Sequence, residues 1–257
     1  DKLAYIDDQA TITFSELDRR SNRVGSSLNT LGVQAEQKVF LCALDSIDWP
    51  VSFLGCIKAG VLPIAVNTLL TPKDYEYMLN DSRAKVAIID PSFVPMFKEL
   101  LGKVPTLETL IVTGSNSVDG RASLADLEAK GSDSFVGPMT TCDDPCFWLY
   151  SSGSTGAPKG TVHIHSSIIQ TAELFGKGVL DLQQDDVVFS AAKLFFAYGL
   201  GNAFSFPLSV GATTVLYSGR PTPDSVYERL EKHSVTVFCG VPTLYAGMLA
   251  KQDKPAK

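Results

Sequence analysis

The sequence has 257 residues, of which 45% are hydrophobic and 19% charged, with a formal net charge of −6. These proportions are typical of a globular protein and exclude a disordered chain. The acidic balance argues against a nucleic-acid partner, which would need a basic surface, so any bound phosphate must be held by a local cluster of donors.

The first part of the chain predicts a hairpin followed by alternating strands and helices. “LAYIDDQATITF” has the pattern of a hairpin, and the next helix is expected to have Ser15 as its cap and Gly32 as its stop. Apolar segments such as “KVFLCAL” and “KVAIID” then alternate with amphipathic ones. Strands that are apolar on both faces and separated by helices predict a parallel sheet covered by helices.

The segment “FWLYSSGSTGAPKGTVHIH” interrupts this rhythm and predicts strand, loop and strand. Glycines let successive N–H groups converge on one point, and hydroxyls with one lysine suit the oxygens of a polyphosphate. The candidate groups are Ser151, Ser152, Gly153, Ser154, Thr155, Gly156, Lys159 and Gly160. The spacing is not that of a Walker loop. The residues alone leave a phosphate-binding loop and an ordinary flexible hairpin both open.

The remainder returns to strand and helix by turns, as in “TTVLYS” and “PDSVYERLEKHS”. Leu194–Gly219 contains no charged residue, but glycines and Pro207 interrupt it. A buried helix followed by a buried strand fits this pattern better than a membrane-spanning helix, so no membrane partner is expected. The polar ending “KQDKPAK” carries no cap signal, and more protein is expected after it.

Other residues that could bind metal or transfer protons have structural interpretations. Five cysteines, an odd number without a secretory leader, indicate reduced thiols and a cytoplasmic location. His163 and His165 share a strand face without an evident third ligand, which favours a structural role. Asp185 and Asp186 are interpreted as solvated turn residues.

The loop and its flanks resemble the adenylate-forming superfamily, which includes acyl- and aryl-CoA synthetases, luciferases and adenylation domains of peptide synthetases. “YSSGSTGAPKGTVHIH” is similar to its signature loop, and “VTVFCGVPTLYAGML” is similar to a later part of the family. The resemblance spans essentially the whole chain. It implies an α/β fold with two mostly parallel sheets flanked by helices, as in the N-terminal domain of these enzymes, here incomplete.

The same resemblance implies a set of ligands. The loop would grip the β- and γ-phosphates of ATP while a substrate carboxylate attacks the α-phosphorus, and coenzyme A would then displace AMP. The implied phosphate-binding residues are Ser151, Ser152, Gly153, Ser154, Thr155, Gly156 and Lys159. Thr155 would also bind Mg²⁺. The catalytic residues are expected beyond Lys257, so residues 1–257 alone are expected to be inactive.

“KLFFAYGLGNAFSFPLSVGATTVL” resembles the aryl-CoA ligases of the benzoate and hydroxybenzoate type. Many family members have Pro-Leu-Phe-His here, whereas this chain has Lys193 for the proline and Phe196 for the histidine. By this likeness Ala197, Tyr198 and Gly199 would line an aryl pocket for a small aromatic carboxylate. From the residues alone, “FFAY” is also compatible with core packing, and Phe195 and Phe196 are assigned to the core.

The expected organisation is a partial AMP-binding N-terminal domain over residues 1–257, without its C-terminal domain. Lobe one covers roughly 28–185, including the phosphate loop 150–160, and lobe two covers roughly 1–27 with 186–257. Two alternatives to an aryl-CoA ligase stay open: another acyl-CoA synthetase or adenylation domain, and a non-catalytic nucleotide-binding fragment. The oligomeric state is open too, a homodimer included.

Overall fold

A computed structural model describes residues 1–151 and 156–253. The chain forms two compact units. The first consists of residues 1–14, 45–47 and those from Ser167 onward, and the second of residues 15–44 and 48–166. The sequence predicts the divisions near 27 and 185, whereas the structure has them at 14/15 and 166/167.

Strands and helices alternate along most of the chain, as the apolar pattern predicts. The strands are β1 (Leu3–Ile6), β2 (Thr11–Thr13), β3 (Lys38–Cys42), β4 (Leu62–Ala65), β5 (Val86–Ile89), β6 (Thr109–Val112), β7 (Pro145–Ser151), β8 (Lys159–Ile164), β9 (Val187–Ser190), β10 (Thr213–Val215) and β11 (Val237–Cys239). The α-helices are α1 (Phe14–Thr30), α2 (Asp48–Lys58), α3 (Pro72–Ser82), α4 (Val94–Leu101), α5 (Leu124–Glu128), α6 (His165–Thr171), α7 (Ala197–Leu200), α8 (Phe206–Val210), α9 (Pro223–Lys232) and α10 (Pro242–Ala250). A 3₁₀ turn (Pro91–Phe93) and two π-helical segments (Ala172–Lys177 and Gly201–Ser205) complete the set.

The second unit is built on a six-stranded sheet in the order β6-β5-β3-β4-β7-β8. All neighbouring strands are parallel except β7 and β8, which form an antiparallel pair at one edge. The residues of β4 and β5 are buried on both faces, as expected for strands covered by helices. Phe40, Tyr75 and Phe97 form an aromatic cluster in this core.

Helix α1 belongs to the second unit because it packs against α2 and α5. A Cβ on Gly55 would lie 2.5 Å from Cγ1 of Val24, so the two helices are in close contact. The Ser27 hydroxyl donates a hydrogen bond of 2.6 Å to the Leu127 carbonyl. The prediction of Ser15 as the helix cap is wrong, because the helix already begins at Phe14 and includes Ser15. The expected stop is confirmed by the left-handed φ of +79° at Gly32.

The first unit contains a five-stranded sheet in the order β11-β9-β10-β1-β2. β1 and β2 form the predicted antiparallel hairpin, and the other neighbours are parallel. Residues before β9 belong here because Ala172 and Leu182 pack with Val188, Phe206 and Ala212. The fold class predicted from the sequence is therefore confirmed: two mostly parallel sheets flanked by helices.

The uncharged segment Leu194–Gly219 is a series of short helical pieces followed by a strand. It contains α7, a π-helical segment, α8 and β10, which agrees with the prediction of a buried helix and a buried strand. Among the described residues, no helix combines the length and the apolar character needed to cross a bilayer.

Candidate functional site

The predicted phosphate loop begins at the carboxyl end of β7. β7 is parallel to β4 on one side, with Ala65 opposite Leu149, and antiparallel to β8 on the other, with Ser151 opposite Lys159. In α/β sheets, ligands bind outside the carboxyl ends of the parallel strands. The strand–loop–strand prediction is confirmed at both flanks, and the loop leaves the sheet at the edge where a ligand site is expected.

Tyr150 fixes the strand end that precedes the loop. Its hydroxyl donates a hydrogen bond to Oδ2 of Asp81 at 2.6 Å, with the Met78 carbonyl 3.3 Å away, both on α3. Burial first, and the Asp81 carboxylate second, raise the pKa of Tyr150 well above its usual value. The phenol is therefore a neutral donor that ties the end of β7 to α3.

Gly156 and Gly160 are glycines for different physical reasons. Gly156 has φ of +135°, a backbone conformation that L-residues rarely adopt, and its side-chain direction is open. At Gly160 the limit is space, since a Cβ would lie 2.8 Å from the Trp148 ring. The absent side chain at Gly160 lets the Trp148 ring lie across the β7–β8 pair.

Three of the seven predicted phosphate-binding residues are described by the structure. Ser151 and Gly156 are exposed, and Lys159 is exposed with no ion pair or side-chain hydrogen bond to any residue of 1–151 or 156–253. The other four predicted positions, Ser152, Gly153, Ser154 and Thr155, lie outside the described residues. Their roles, and the Mg²⁺ role of Thr155, stay predictions.

The predicted aryl-binding residues lie at the carboxyl edge of the five-stranded sheet. Tyr198 on α7 has 48% of its side chain exposed, and its hydroxyl donates to the carbonyl of Gly240, which follows β11, at 3.2 Å. Burial of the hydroxyl raises the pKa of Tyr198. Ala197 is exposed beside it. One end of the Tyr198 side chain is thus tied to the protein while the ring stays accessible.

Gly199 is buried and packs against backbone. A Cβ on Gly199 would lie 2.0 Å from the Lys193 carbonyl oxygen and 2.6 Å from that of Ala192. No side chain can occupy that space, so the glycine brings α7 directly onto the turn after β9. Contact with a ligand at this position stays a prediction.

The assignment of both phenylalanines to the core is half correct. Phe195 is 6% exposed and Phe196 is 49% exposed, and their rings are 4.6 Å apart. α7 begins immediately after Phe196, so the chain turns there and the second ring faces outward. The exposed Phe196 lies beside Ala197 and Tyr198 in sequence, which extends the apolar surface there.

A polar network that the sequence reasoning missed supports this segment. Nζ of Lys193 donates to the carbonyls of Tyr217 and, at 2.7 Å, Gly219. The buried Asp45 carboxylate accepts the Leu194 N–H at 3.2 Å. Burial raises the pKa of Asp45 to about 6 and lowers that of Lys193. The only sequence signal was the lysine in place of proline.

Arg229 extends the network through the Tyr217 ring. Its guanidinium carbon lies 3.6 Å from the centre of the Tyr217 ring, and Nη2 pairs with Asp8 at 2.5 Å. A cation–π contact of this kind favours a fixed ring position. The segment that accepts the Lys193 hydrogen bonds is therefore itself held in place.

His163 and Asp186 have local partners. His163 stacks on Phe147 with ring centres 4.5 Å apart, and burial lowers its pKa. Asp186 accepts hydrogen bonds from the Gln183 N–H and the Thr236 hydroxyl. Within 1–151 and 156–253, no three His, Cys, Asp or Glu side chains form a group suited to a metal ion. All five cysteines are unpaired.

Comparisons with known proteins point to one family. The sequence matches the family described as “AMP-binding enzyme” over residues 1–257. It is 59% identical to a benzoate–CoA ligase of Thauera aromatica over 99% of this chain and 48% of that protein. It is 45% identical to a 4-hydroxybenzoate–CoA/benzoate–CoA ligase of Rhodopseudomonas palustris, over 97% of this chain and 46% of the relative.

Solved structures give the same grouping. A benzoate CoA ligase from Burkholderia xenovorans LB400 superposes with a TM-score of 0.91 at 47% identity, over 99% of this chain and 50% of that one. An anthranilate CoA ligase in complex with anthranoyl-AMP gives a TM-score of 0.95 at 37% identity, over 98% and 49%. This chain spans about half the length of the relatives that it matches.

Proposed function

Because this chain belongs to the AMP-binding enzyme family, we propose that it is part of an ATP-dependent aryl-CoA ligase. The enzyme joins benzoate, or a close relative, to AMP and then transfers the acyl group to coenzyme A. The observation that carries the proposal is the 59% identity to a benzoate–CoA ligase over 99% of this chain. The reaction makes the protein an AMP-forming acid–thiol ligase.

The loop after β7 binds the β- and γ-phosphates of ATP in this proposal. Exposed Ser151, Gly156 and Lys159 support it, since the ammonium of Lys159 has no protein partner among the described residues. Ser152, Gly153, Ser154 and Thr155 supply the remaining donors. Negative charge develops on the departing pyrophosphate, and a lysine with preorganised N–H donors stabilises it.

Mg²⁺ belongs to the proposal through Thr155 alone, whose hydroxyl is a suitable oxygen ligand for that ion. When bound to the phosphates, the ion adds positive charge beside the leaving group.

The aromatic acid lies against α7. The accessible Tyr198 ring packs on the benzene ring at roughly 0.5–1.5 kcal/mol beyond burial, and small Ala197 leaves room for it. Gly199 acts through shape, because it keeps α7 against the turn at Lys193. The exposed Phe196 adds apolar surface beside them.

The two half-reactions balance without an oxidant or a reductant. A carboxylate oxygen attacks the α-phosphorus and expels pyrophosphate, which leaves an acyl-adenylate. The coenzyme A thiolate then attacks the acyl carbon and expels AMP. ATP and coenzyme A are cytoplasmic metabolites, and we place the reaction in the cytoplasm.

The test is thioester formation by the full-length protein containing this chain, supplied with ATP, Mg²⁺ and coenzyme A. Benzoate, 4-hydroxybenzoate, a medium-chain fatty acid and an amino acid are compared by kcat/KM for acyl-CoA and by pyrophosphate release. We expect the aromatic acids to be preferred. Preference for the fatty acid or the amino acid would assign another branch of the family. ATP binding without pyrophosphate release for any acid would indicate a non-catalytic nucleotide-binding protein.

A further inference from the structure

Lys193 is a partly buried cation whose amino group faces the segment after β10. Its Nζ donates to two main-chain carbonyls of that segment, at Tyr217 and Gly219, and lies 5.3 Å from the centre of the Tyr217 ring. Two of the three ammonium hydrogens are thus used by main-chain carbonyls, and the aromatic face attracts the same charge. These contacts favour a structural function over direct contact with a substrate.

The backbone of Lys193 is coupled to Tyr198 through short contacts. Its carbonyl accepts the N–H of Phe196 at 3.0 Å and lies where a Cβ of Gly199 would have to be. The Leu194 N–H is held by the Asp45 carboxylate. A displacement of the turn at residues 193–194 must therefore move the start of α7, and with it the Tyr198 ring.

The charges around Lys193 show that its ammonium is held at an electrostatic cost. Burial lowers the pKa of Lys193, the carboxylates of Asp45 and Asp8 raise it, and Arg229 lowers it. A neutral residue of the same length would avoid the cost of burying the charge. What the lysine supplies in return is two hydrogen bonds, which hold a geometry that apolar packing alone would leave loose.

We infer that Lys193 is a positioning residue, which clamps the segment after β10 to the turn after β9 and thereby fixes the Tyr198 wall of the acid site. The identity of the ligand in this inference rests on the proposed function, whereas the clamp itself rests only on the contacts of Lys193. Lys193 sets the affinity for the aromatic acid without touching it, and it has no part in ATP binding.

The experiment compares Lys193→Met, Lys193→Arg and the control Lys177→Met in the full-length protein. Methionine removes the charge and both hydrogen bonds while keeping an unbranched stem. Arginine keeps the charge and donors. Lys177 is a more exposed lysine of the same unit, paired with Glu173 within one helical segment. KM for benzoate, KM for ATP and kcat are measured, together with hydrogen exchange of residues 193–202.

We expect Lys193→Met to raise KM for benzoate about tenfold, corresponding to roughly 1.4 kcal/mol, with KM for ATP changed less than twofold. Exchange at residues 193–202 should accelerate. Lys193→Arg should recover most of the affinity, and Lys177→Met should match the wild type. Equal changes in both KM values, or no rescue by arginine, would overturn the positioning role.

Failure of the inference is distinguishable from failure of the proposed function. If the wild type makes no benzoyl-CoA, the proposed function fails and hydrogen exchange decides the inference alone. If the wild type is active and Lys193→Met keeps its KM for benzoate, only the inference fails. A Lys193→Met variant that does not fold leaves Lys193→Arg to decide, since normal exchange with a normal KM supports the clamp and a raised KM for ATP contradicts it.

Discussion

Lys159, which follows the loop of the second unit, and Lys193, which precedes α7 of the first unit, differ in what surrounds their amino groups. Lys159 is exposed and has no side-chain partner within 1–151 and 156–253. Lys193 is partly buried and donates to two carbonyls. Each follows or precedes a loop at the carboxyl edge of its own sheet, so position alone does not separate them.

The surroundings of the amino group indicate how a lysine at a candidate ligand site acts. An ammonium with unused donors can bind an incoming anion, whereas one whose donors meet main-chain carbonyls mainly holds those segments together. Substitution of the first is expected to affect one ligand directly. Substitution of the second is expected to act through the side chains that it positions.

The largest effect should come from Gly199→Ala, which tests the contact between α7 and the turn at Lys193. The alanine Cβ would lie 2.0 Å from a main-chain oxygen, and no side-chain rotation can relieve that clash. We expect a loss of about 3 kcal/mol in unfolding free energy and a raised KM for benzoate, measured by urea unfolding and steady-state kinetics.

The control is Gly247→Ala in α10, where a Cβ would meet its nearest neighbour at an ordinary 3.4 Å. Alanine within a helix is favoured over glycine by roughly 0.5–1 kcal/mol. Equal stability of the two variants would contradict the close packing of α7 on the turn after β9.

Next in size is Lys159→Ala, which tests the exposed lysine. Loss of a charge-assisted hydrogen bond of about 1.5–3 kcal/mol should lower kcat/KM for ATP roughly 10- to 100-fold, with KM for benzoate unchanged. The matched control is Lys98→Ala, an exposed lysine of the same unit paired with Asp119. Unchanged ATP kinetics in Lys159→Ala would refute the phosphate role.

Tyr198→Ala should have a smaller effect than Lys159→Ala, and it should change the kinetics for benzoate and not those for ATP. Removal of the ring should raise KM for benzoate about tenfold through lost apolar and aromatic packing, with KM for ATP unchanged. Tyr77→Ala, on α3 of the other unit, is the control for removing a partly exposed phenol. A variant that binds benzoate normally and ATP poorly would place the acid elsewhere.

The smallest effect is a change in unfolding free energy with pH, caused by the buried Asp45 beside Leu194. The pKa of Asp45 is raised to about 6 by burial, so the carboxyl group contributes stability that is present at low pH and lost as the pH rises through about 6. Between about pH 5 and pH 7 this loss is on the order of 1 kcal/mol. Asp45→Asn should abolish it, which urea unfolding at both pH values would detect.

Asp126→Asn serves as the comparison for that titration. Hydrogen bonds from Ser123 and Ser117 hold the pKa of Asp126 below its usual value. Its stabilising effect is lost only as the pH falls below the range tested, so the variant should differ from the wild type equally at both pH values. A parallel pH dependence in the wild type and Asp45→Asn would show that Asp45 is not the titrating group.

Local patterns in the sequence predicted much of the fold. Alternating apolar and amphipathic segments predicted the parallel sheets, and the glycine-rich run between two strands predicted the loop. The unit boundaries were harder, because α1 joins the second unit through contacts with Gly55 and Leu127 that lie far along the chain. Periodicity reports which face of a helix is apolar, but not which sheet covers it.

Sequence motifs located the candidate site, but they carried no signal for the residues that support it. Gly160 was interpreted as a glycine of the loop, whereas the Trp148 ring across the strand pair determines it. The assignment of Phe196 to the core follows the usual burial of aromatic side chains, but α7 begins directly after Phe196 and leaves its ring exposed. The partners of Lys193 are carbonyls, which carry no sequence signal at all.

The pairing of β1 with β10 has a consequence for the order in which the protein is made. Within the described residues, all six strands of the second unit's sheet have been made once Ile164 is synthesised, whereas β1 must wait for a partner that begins at Thr213. At 5–20 residues per second, β10 is synthesised roughly 10–40 s after β1. Ribosome-bound chains halted near residue 200 should therefore hold a protease-resistant second unit, while the N-terminal hairpin is still cleaved.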